Sequence, residues 1–180
     1  MTAFVALGLA ACGPRRPAAR RQLPRDNDQQ STRPRQLLSQ GVTVRWHEKG
    51  PAGKLRRVLE VVAASGQLQA DTESGVLNDA RGSFYRNDEP RARFTAPRVE
   101  AWRARRLVIA DGGVRLESVD PPGLTVTADR VVWHTDTDRI VGRGNVRFQH
   151  QPPGSASVAA EGGPFDQVTI DTGMRRITIP

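Results

Sequence analysis

The sequence predicts an all-β domain built from repeated units of short strands, and three observations support this prediction. A segment repeats itself after 32 residues, apolar and polar side chains alternate with a period of two, and turn-forming residues recur every ~8–12 residues. Helical periodicity is not convincing in the repeated region. These features are typical of a β-sandwich, a barrel or an open roll.

The repeat lies between Ala96 and Phe148 and needs no gap. Self-similarity at such a period usually marks a stack of similar supersecondary units. A degenerate earlier copy is predicted, in which Gly82-Ser83-Phe84-Tyr85 corresponds roughly to Gly113-Val114-Arg115-Leu116. The matched pieces of the two main copies are Ala96-Pro97-Arg98-Val99 with Ala128-Asp129-Arg130-Val131, and Gly112-Gly113-Val114-Arg115-Leu116 with Gly144-Asn145-Val146-Arg147-Phe148.

The strands follow from alternation, which places one face on the core and the other in water. Val42–Trp46 reads as the first strand and Ile177–Ile179 as the last. Leu55–Ala63 fits either a two-turn helix or a strand, and its β-branched content favours the strand. The predicted turns contain Gly, Pro, Asp or Asn. They are Gly50–Gly53, Asn87–Pro90, Asp111–Gly113, Asp120–Gly123 and Thr135–Asp138.

Composition divides the 180-residue chain into three segments. Residues 1–12 are interpreted as a lipoprotein signal peptide. Residues 13–40 are rich in Pro and Arg and poor in apolar residues, which predicts a disordered linker. Residues 41–180 form the predicted β-domain. Much of the net charge of +8 lies in residues 1–40, which contain seven Arg and two Asp. That excess fits either contact with an anionic membrane or a solvated linker.

Cys12 is the single cysteine, so an intrachain disulfide is excluded. It follows a short apolar run that ends in Leu9-Ala10-Ala11, and the whole resembles the lipobox of bacterial lipoproteins. That resemblance implies export, acylation of Cys12 and a lipid anchor. The other reading is a chance Ala/Leu-rich start with a free thiol. Because no basic residue precedes the apolar run, the true start is expected to lie upstream.

The segments Val126–Trp133 and Gly142–Phe148, within an exported β-repeat chain, resemble the LptC/LptA (OstA-like) lipopolysaccharide export family. The resemblance implies an open β-jellyroll, a folded antiparallel trough that holds acyl chains. It further implies an LptC-like periplasmic subunit of an ABC transporter system, whose partners are lipopolysaccharide, the transporter's membrane subunits and an LptA/OstA-like protein joined by strand-edge pairing. The family favours the inner membrane, whereas the Cys12 anchor also permits the outer membrane.

Alternation selects nine inward residues as the lining of this trough, although ordinary core packing would give the same pattern. Five arginines are candidates for the phosphates of a glycolipid headgroup, because Arg binds phosphate bidentately. The other reading of these arginines is a solvated outer face. The predicted trough residues are Val114, Leu116, Leu124, Val126, Val131, Trp133, Ile140, Val146 and Phe148, and the arginines are Arg98, Arg115, Arg130, Arg143 and Arg147.

No catalytic or cofactor motif is expected to act here. His47, His134 and His150 lie far apart and lack Cys or Glu at metal-ligand spacing, and no phosphate-binding loop is present. The pI of about 11.2 suggests nucleic acid, but the aromatic content of 5% and the export segment argue against it. An enzyme, a cofactor and a metal are therefore not expected. The alternative function is a structural β-repeat lipoprotein that contacts proteins and carries no lipid.

Overall fold

Nine antiparallel strands form one sheet in the computed structural model, which describes residues 36–50, 53–137 and 139–180, with side chains from residue 39 onward. Every strand pairs with its neighbour in sequence, so the spatial order is β1 to β9 without a crossover. The strands are β1 (Gln36–Lys49), β2 (Leu55–Gln69), β3 (Ser74–Arg86), β4 (Glu89–Trp102), β5 (Leu107–Val119), β6 (Pro122–His134), β7 (Arg139–His150), β8 (Ala160–Asp171) and β9 (Ile177–Thr178).

The prediction of an all-β open sheet is confirmed, and the ambiguous segment Leu55–Ala63 is part of strand β2. The strands are longer than predicted, however. Asp111-Gly112-Gly113 does not end a strand but lies inside β5. Here the pairing of β5 with both neighbours shifts register, and Gly112 and Gly113 have φ values of 91° and 96°. Glycine tolerates these angles, so the motif produces a β-bulge rather than a turn.

The bulges of four consecutive strands lie side by side. Register shifts occur between Thr95 and Arg98 in β4, and between Asp111 and Val114 in β5. The matching shifts are at 127–130 in β6 and 143–146 in β7. Because a bulge bends its strand, this line of bulges forms a corner across the sheet. The repeated Gly motifs in the sequence mark that corner.

The repeating unit is a hairpin: β4–β5 is one copy and β6–β7 is the next. The earlier copy is the hairpin β2–β3, which lies one repeat before β4–β5 in the chain. The predicted alignment of that copy was displaced by one residue, because Phe84, and not Tyr85, is the buried residue that corresponds to Leu116. An alignment on the glycines differs by one residue from the 32-residue spacing of the repeat, which brings the buried side chains into correspondence.

The sheet folds over at the corner, so that opposite ends of its strands face each other. Phe84 lies near the end of the sheet that contains the β3–β4 turn, whereas Trp133 lies near the opposite end. Their ring centroids are nonetheless 4.5 Å apart in an edge-to-face contact. In the same way, Thr135 Oγ1 donates a hydrogen bond of 2.9 Å to Glu48 Oε1. The core therefore lies between two layers made from the two halves of one folded sheet.

Strand β1 begins at Gln36, so the sheet extends into the segment that was predicted to be linker up to residue 40. Cys12, the predicted signal peptide and most of the predicted linker lie outside the described residues. Within the described residues, no helix is long and apolar enough to span a membrane.

Candidate functional site

The residues predicted to line the trough lie in the core between the two layers. Leu116, Ile140 and Val146 are at most 1% exposed, so they offer a bound molecule no accessible surface in this conformation. Phe148 is partly buried and stacks on Phe165 with centroids 6.2 Å apart. The buried members of the set are Val114, Leu116, Leu124, Val126, Val131, Trp133, Ile140 and Val146.

An apolar cavity of about 550 Å³ opens between the layers at the β1–β4 end of the sheet, and we call it the N-terminal cavity. Val44 and Trp46 approach it from the end of β1. Leu68 and Ala101 approach it from the opposite ends of β2 and β4. The folded sheet thus brings together side chains that are distant along the strands. A slot lined by such side chains suits an aliphatic chain.

Alternation alone did not identify this cavity. The inward side chains of β1–β4 follow the same alternating pattern as those of β5–β7, so nothing in the sequence distinguishes an open part of the interior from a filled one. Small residues give a partial signal. Ala101 leaves space, and a Cβ at Gly75 would approach Leu68 Cδ2 to 2.6 Å, so glycine permits the close packing of Leu68.

The rim of the N-terminal cavity is polar. Arg103 forms an ion pair with Glu73 in which Nη1 and Oε1 are 3.3 Å apart, and His47 contributes to the opposite side. Leu55, also at the rim, is 57% exposed. An apolar interior with a charged rim matches a molecule that has aliphatic chains and a polar headgroup.

The five predicted phosphate-binding arginines are all exposed on the outer face of β4–β7. Three of them have carboxylate partners: Arg98 with Glu100 at 2.6 Å, Arg115 with Glu117 at 2.8 Å, and Arg130 with Asp111 at 3.2 Å. Arg143 and Arg147 form no ion pair within the described part of the chain. The arginines therefore lie on the opposite face of the sheet from the buried trough residues. A lipid held between the layers would not place its phosphates against them.

A charged cluster on the outer face connects β1, β2 and β3, and we call it the Glu60 cluster. Glu60 accepts hydrogen bonds from Arg45 Nε at 2.9 Å, from Arg57 Nη1 at 3.0 Å and from the Tyr85 hydroxyl at 3.2 Å. The hydrogen bond from Arg45 is the main cause that lowers the pKa of Glu60. The hydrogen bond to Tyr85 is the main cause that raises the pKa of Arg57. The cluster secures the edge strand β1 to its neighbours.

His47, His134 and His150 lie on β1, β6 and β7. Over residues 36–50, 53–137 and 139–180, no group of three His, Cys, Asp or Glu side chains has an arrangement that could hold a metal ion.

Comparison with solved structures identifies the fold. The chain is similar to the crystal structure of LptH from Pseudomonas aeruginosa, described as the LptA-homologous periplasmic component of the conserved lipopolysaccharide transport device. The TM-score is 0.51 at 14% sequence identity, over 67% of this chain and 80% of LptH. No family model matches the sequence, and no curated protein matches it. At this identity the likeness establishes the fold, the open β-jellyroll predicted from the resemblance.

Proposed function

We propose that this protein is a membrane-anchored, LptC-like periplasmic component of the lipopolysaccharide export system, and that it binds the acyl chains of lipopolysaccharide between the two layers of its jellyroll. The N-terminal cavity carries this proposal, because it is an apolar slot with a polar rim in a fold shared with a lipopolysaccharide transport protein. The protein acts as a passive conduit without catalysis or cofactor. A partner ATPase of the ABC transporter supplies the energy.

In this proposal the N-terminal cavity receives the acyl chains first. The buried residues of β5–β7 form the continuation of the trough and become accessible when the layers separate. The fold supports such a movement because the sheet is open, so its two edges are not joined by hydrogen bonds. Burial of an acyl chain contributes about 25 cal/mol per Å² of apolar surface, which favours an opened, lipid-filled state once lipid is present.

Lipopolysaccharide binding is tested by native mass spectrometry of protein purified from a lipopolysaccharide-producing host. We expect a glycolipid to co-purify with the wild type. Val44→Asp places a carboxylate in the apolar cavity and is expected to weaken binding by about tenfold or more, because the charge must be desolvated. Thr43→Asp is the matched control, since Thr43 is the preceding residue of β1 and is exposed on the outer face.

Ala101→Phe provides a second test that adds no charge, because it fills the cavity with an apolar ring. Both cavity variants must unfold in the same cooperative transition as the wild type for the comparison to hold. If folded Val44→Asp and Ala101→Phe still carry glycolipid like the wild type, the cavity is not the binding site. A wild type without any lipid, even after lipopolysaccharide is added, favours the alternative of a structural β-repeat lipoprotein that contacts proteins only.

The anchor and the partners belong to the same proposal. Acylated Cys12 attaches the protein to the inner membrane, with the outer membrane as the other location, and residues after Cys12 tether the domain. A Cys12→Ser variant that remains in the membrane fraction would contradict the anchor.

An LptA/OstA-like protein pairs with a free sheet edge. Strand β1 is the favoured edge, because it spans Gln36–Lys49 without proline. At the other edge, β9 has only two residues, and its neighbour β8 contains Pro164. An unchanged complex after deletion of residues 36–40 would contradict this choice of edge.

A further inference from the structure

One row of outward-facing residues crosses the sheet from β3 to β7 and alternates arginine with threonine. Thr95 of β4 is paired with Arg81 of β3 on one side and with Arg115 of β5 on the other. In the same way, Thr127 of β6 is paired with Arg115 and with Arg147 of β7. We call Arg81, Arg115 and Arg147 the arginine row. Neighbouring strands are about 4.8 Å apart, so successive arginines of the row are separated by about 10 Å.

Carboxylates neutralise the arginine row only in part. Arg115 bonds Glu117 at 2.8 Å, and both side chains are about half exposed. Arg81 and Arg147 form no ion pair with any residue that the structure describes. Each arginine of the row therefore keeps guanidinium hydrogens that face solvent, and two of the three carry an uncompensated positive charge.

Two shallow cavities flank the arginine row and share Arg115 as a lining residue. The first, about 500 Å³, is bounded by Arg81, Arg115 and also Arg93. The second, about 410 Å³, is bounded by Arg115, Arg147 and the hydroxyl-bearing Thr127. The carboxylates that line the first cavity are those of Glu60 and Glu117, and Glu161 lines the second cavity. Glu60 is already bonded to Arg45 and Glu117 to Arg115, so Arg81 and Arg93 remain in excess in the first concavity. In the second concavity, Glu161 forms no ion pair with Arg147.

From this geometry we propose that the arginine row binds the phosphate groups of anionic phospholipids at a membrane surface. Arginine meets phosphate bidentately, and the threonine hydroxyls between the arginines add donors. The row spans five strands, so it can meet several headgroups at once. Nucleic acid fits the row less well, because the side chains between the arginines are threonines and offer no aromatic platform for bases. The site is on the face opposite the N-terminal cavity and does not depend on which cargo that cavity holds.

Co-sedimentation with vesicles tests this site, using the full chain with Cys12→Ser so that acylation does not contribute. The vesicles contain equal parts of phosphatidylglycerol and phosphatidylcholine, or phosphatidylcholine alone. Each basic residue near an anionic surface changes the affinity by about fivefold. The triple variant Arg81→Gln, Arg115→Gln, Arg147→Gln is therefore expected to bind the mixed vesicles on the order of a hundredfold more weakly than the parent.

The control is the triple variant Arg105→Gln, Arg106→Gln, Arg175→Gln. It removes the same charge from exposed arginines in the connections at the ends of the strands. We expect it to bind within about threefold of the parent, since these residues lie outside the arginine row. We also expect parental binding to disappear on pure phosphatidylcholine and to weaken with salt.

Three results would overturn the proposal. The first is an equal loss of binding in both triple variants, which would show that only net charge matters. The second is that the arginine-row variant binds the mixed vesicles as tightly as the parent does. The third is binding of a single-stranded oligonucleotide as tightly as the mixed vesicles, lost in the arginine-row variant, which would assign the row to nucleic acid. Thermal unfolding of all variants confirms that they are folded.

Discussion

Gly142 and Gly144 lie in the same strand, β7, yet only one of them can accept a side chain. A Cβ at Gly142 would meet Val146 at 3.4 Å, an ordinary van der Waals distance. Gly144 has a φ of +71°, and its Cβ would approach Asp129 Oδ2 to 2.6 Å. We expect Gly142→Ala to raise the free energy of unfolding by up to about 1 kcal/mol, because alanine restricts the unfolded chain. We expect Gly144→Ala to lower it by about 1–3 kcal/mol.

Urea unfolding of the two alanine variants beside the wild type measures this difference. The pair is matched, since both substitutions add one methyl group to the same strand. Equal effects would show that the bulge at Gly144 does not need a left-handed residue.

Residue-scale features were predictable from sequence where they depend on alternation. The inward assignment of Val114, Leu116 and Val126 agrees with their burial, because a strand of period two has one buried face. The site itself was less predictable. Val44 and Trp46 line the same cavity as Leu68, and sequence spacing contains no information about which strand ends face each other after the sheet bends.

At the scale of elements, the Glu60 cluster joins β1 to β2 and β3 and gives the domain a defined pH dependence. Because Arg45 lowers the pKa of Glu60 in the folded state, Glu60 stabilises the fold above the ordinary pKa of a glutamate, about 4.3. That contribution is lost as the pH falls through the lowered, folded-state pKa. We therefore expect Glu60→Gln to be less stable than the wild type at pH 7, with a difference that shrinks towards pH 3.

Thermal unfolding of the wild type and Glu60→Gln across this pH range measures the contribution. Glu161→Gln is the control, because the side chain of Glu161 is exposed and forms no hydrogen bond or ion pair with the residues that the structure describes. A stability difference between wild type and Glu60→Gln that stays constant from pH 7 to pH 3 would show that ionised Glu60 is not what secures β1.

The boundaries of the strands were only partly predictable from the sequence. Asp120–Gly123 and Thr135–Asp138 were correctly predicted to separate strands, whereas Asp111–Gly113 contains equally strong turn formers and lies inside β5. Glycine provides positive φ for a turn and for a bulge alike. The two outcomes differ in whether the chain reverses, which depends on pairing with β4 and β6 rather than on the local residues.

At the scale of the whole molecule, the two layers must stay face to face for an apolar site to exist between them. The edge-to-face contact of Phe84 with Trp133 is the clearest link, since the two rings come from opposite ends of the strands. Trp133 also carries a buried indole N–H without an acceptor among the described residues. Trp133→Phe removes that donor, so we expect it to cost less than about 1.5 kcal/mol. Trp133→Ala leaves a cavity and is expected to cost about 3–5 kcal/mol.

A double-mutant cycle of Phe84→Leu and Trp133→Leu measures the contact between the layers directly. We expect a coupling free energy of about 0.5–1.5 kcal/mol in urea unfolding, the usual range for an aromatic pair. The control cycle combines Phe148→Leu with Trp133→Leu, because no ring contact joins Phe148 and Trp133, and its coupling should be near zero. If the Phe84–Trp133 coupling is also near zero, the sheet in solution is flatter than the folded jellyroll. An apolar cavity between its layers would then not form, and the binding site proposed for lipopolysaccharide would lose its structural basis.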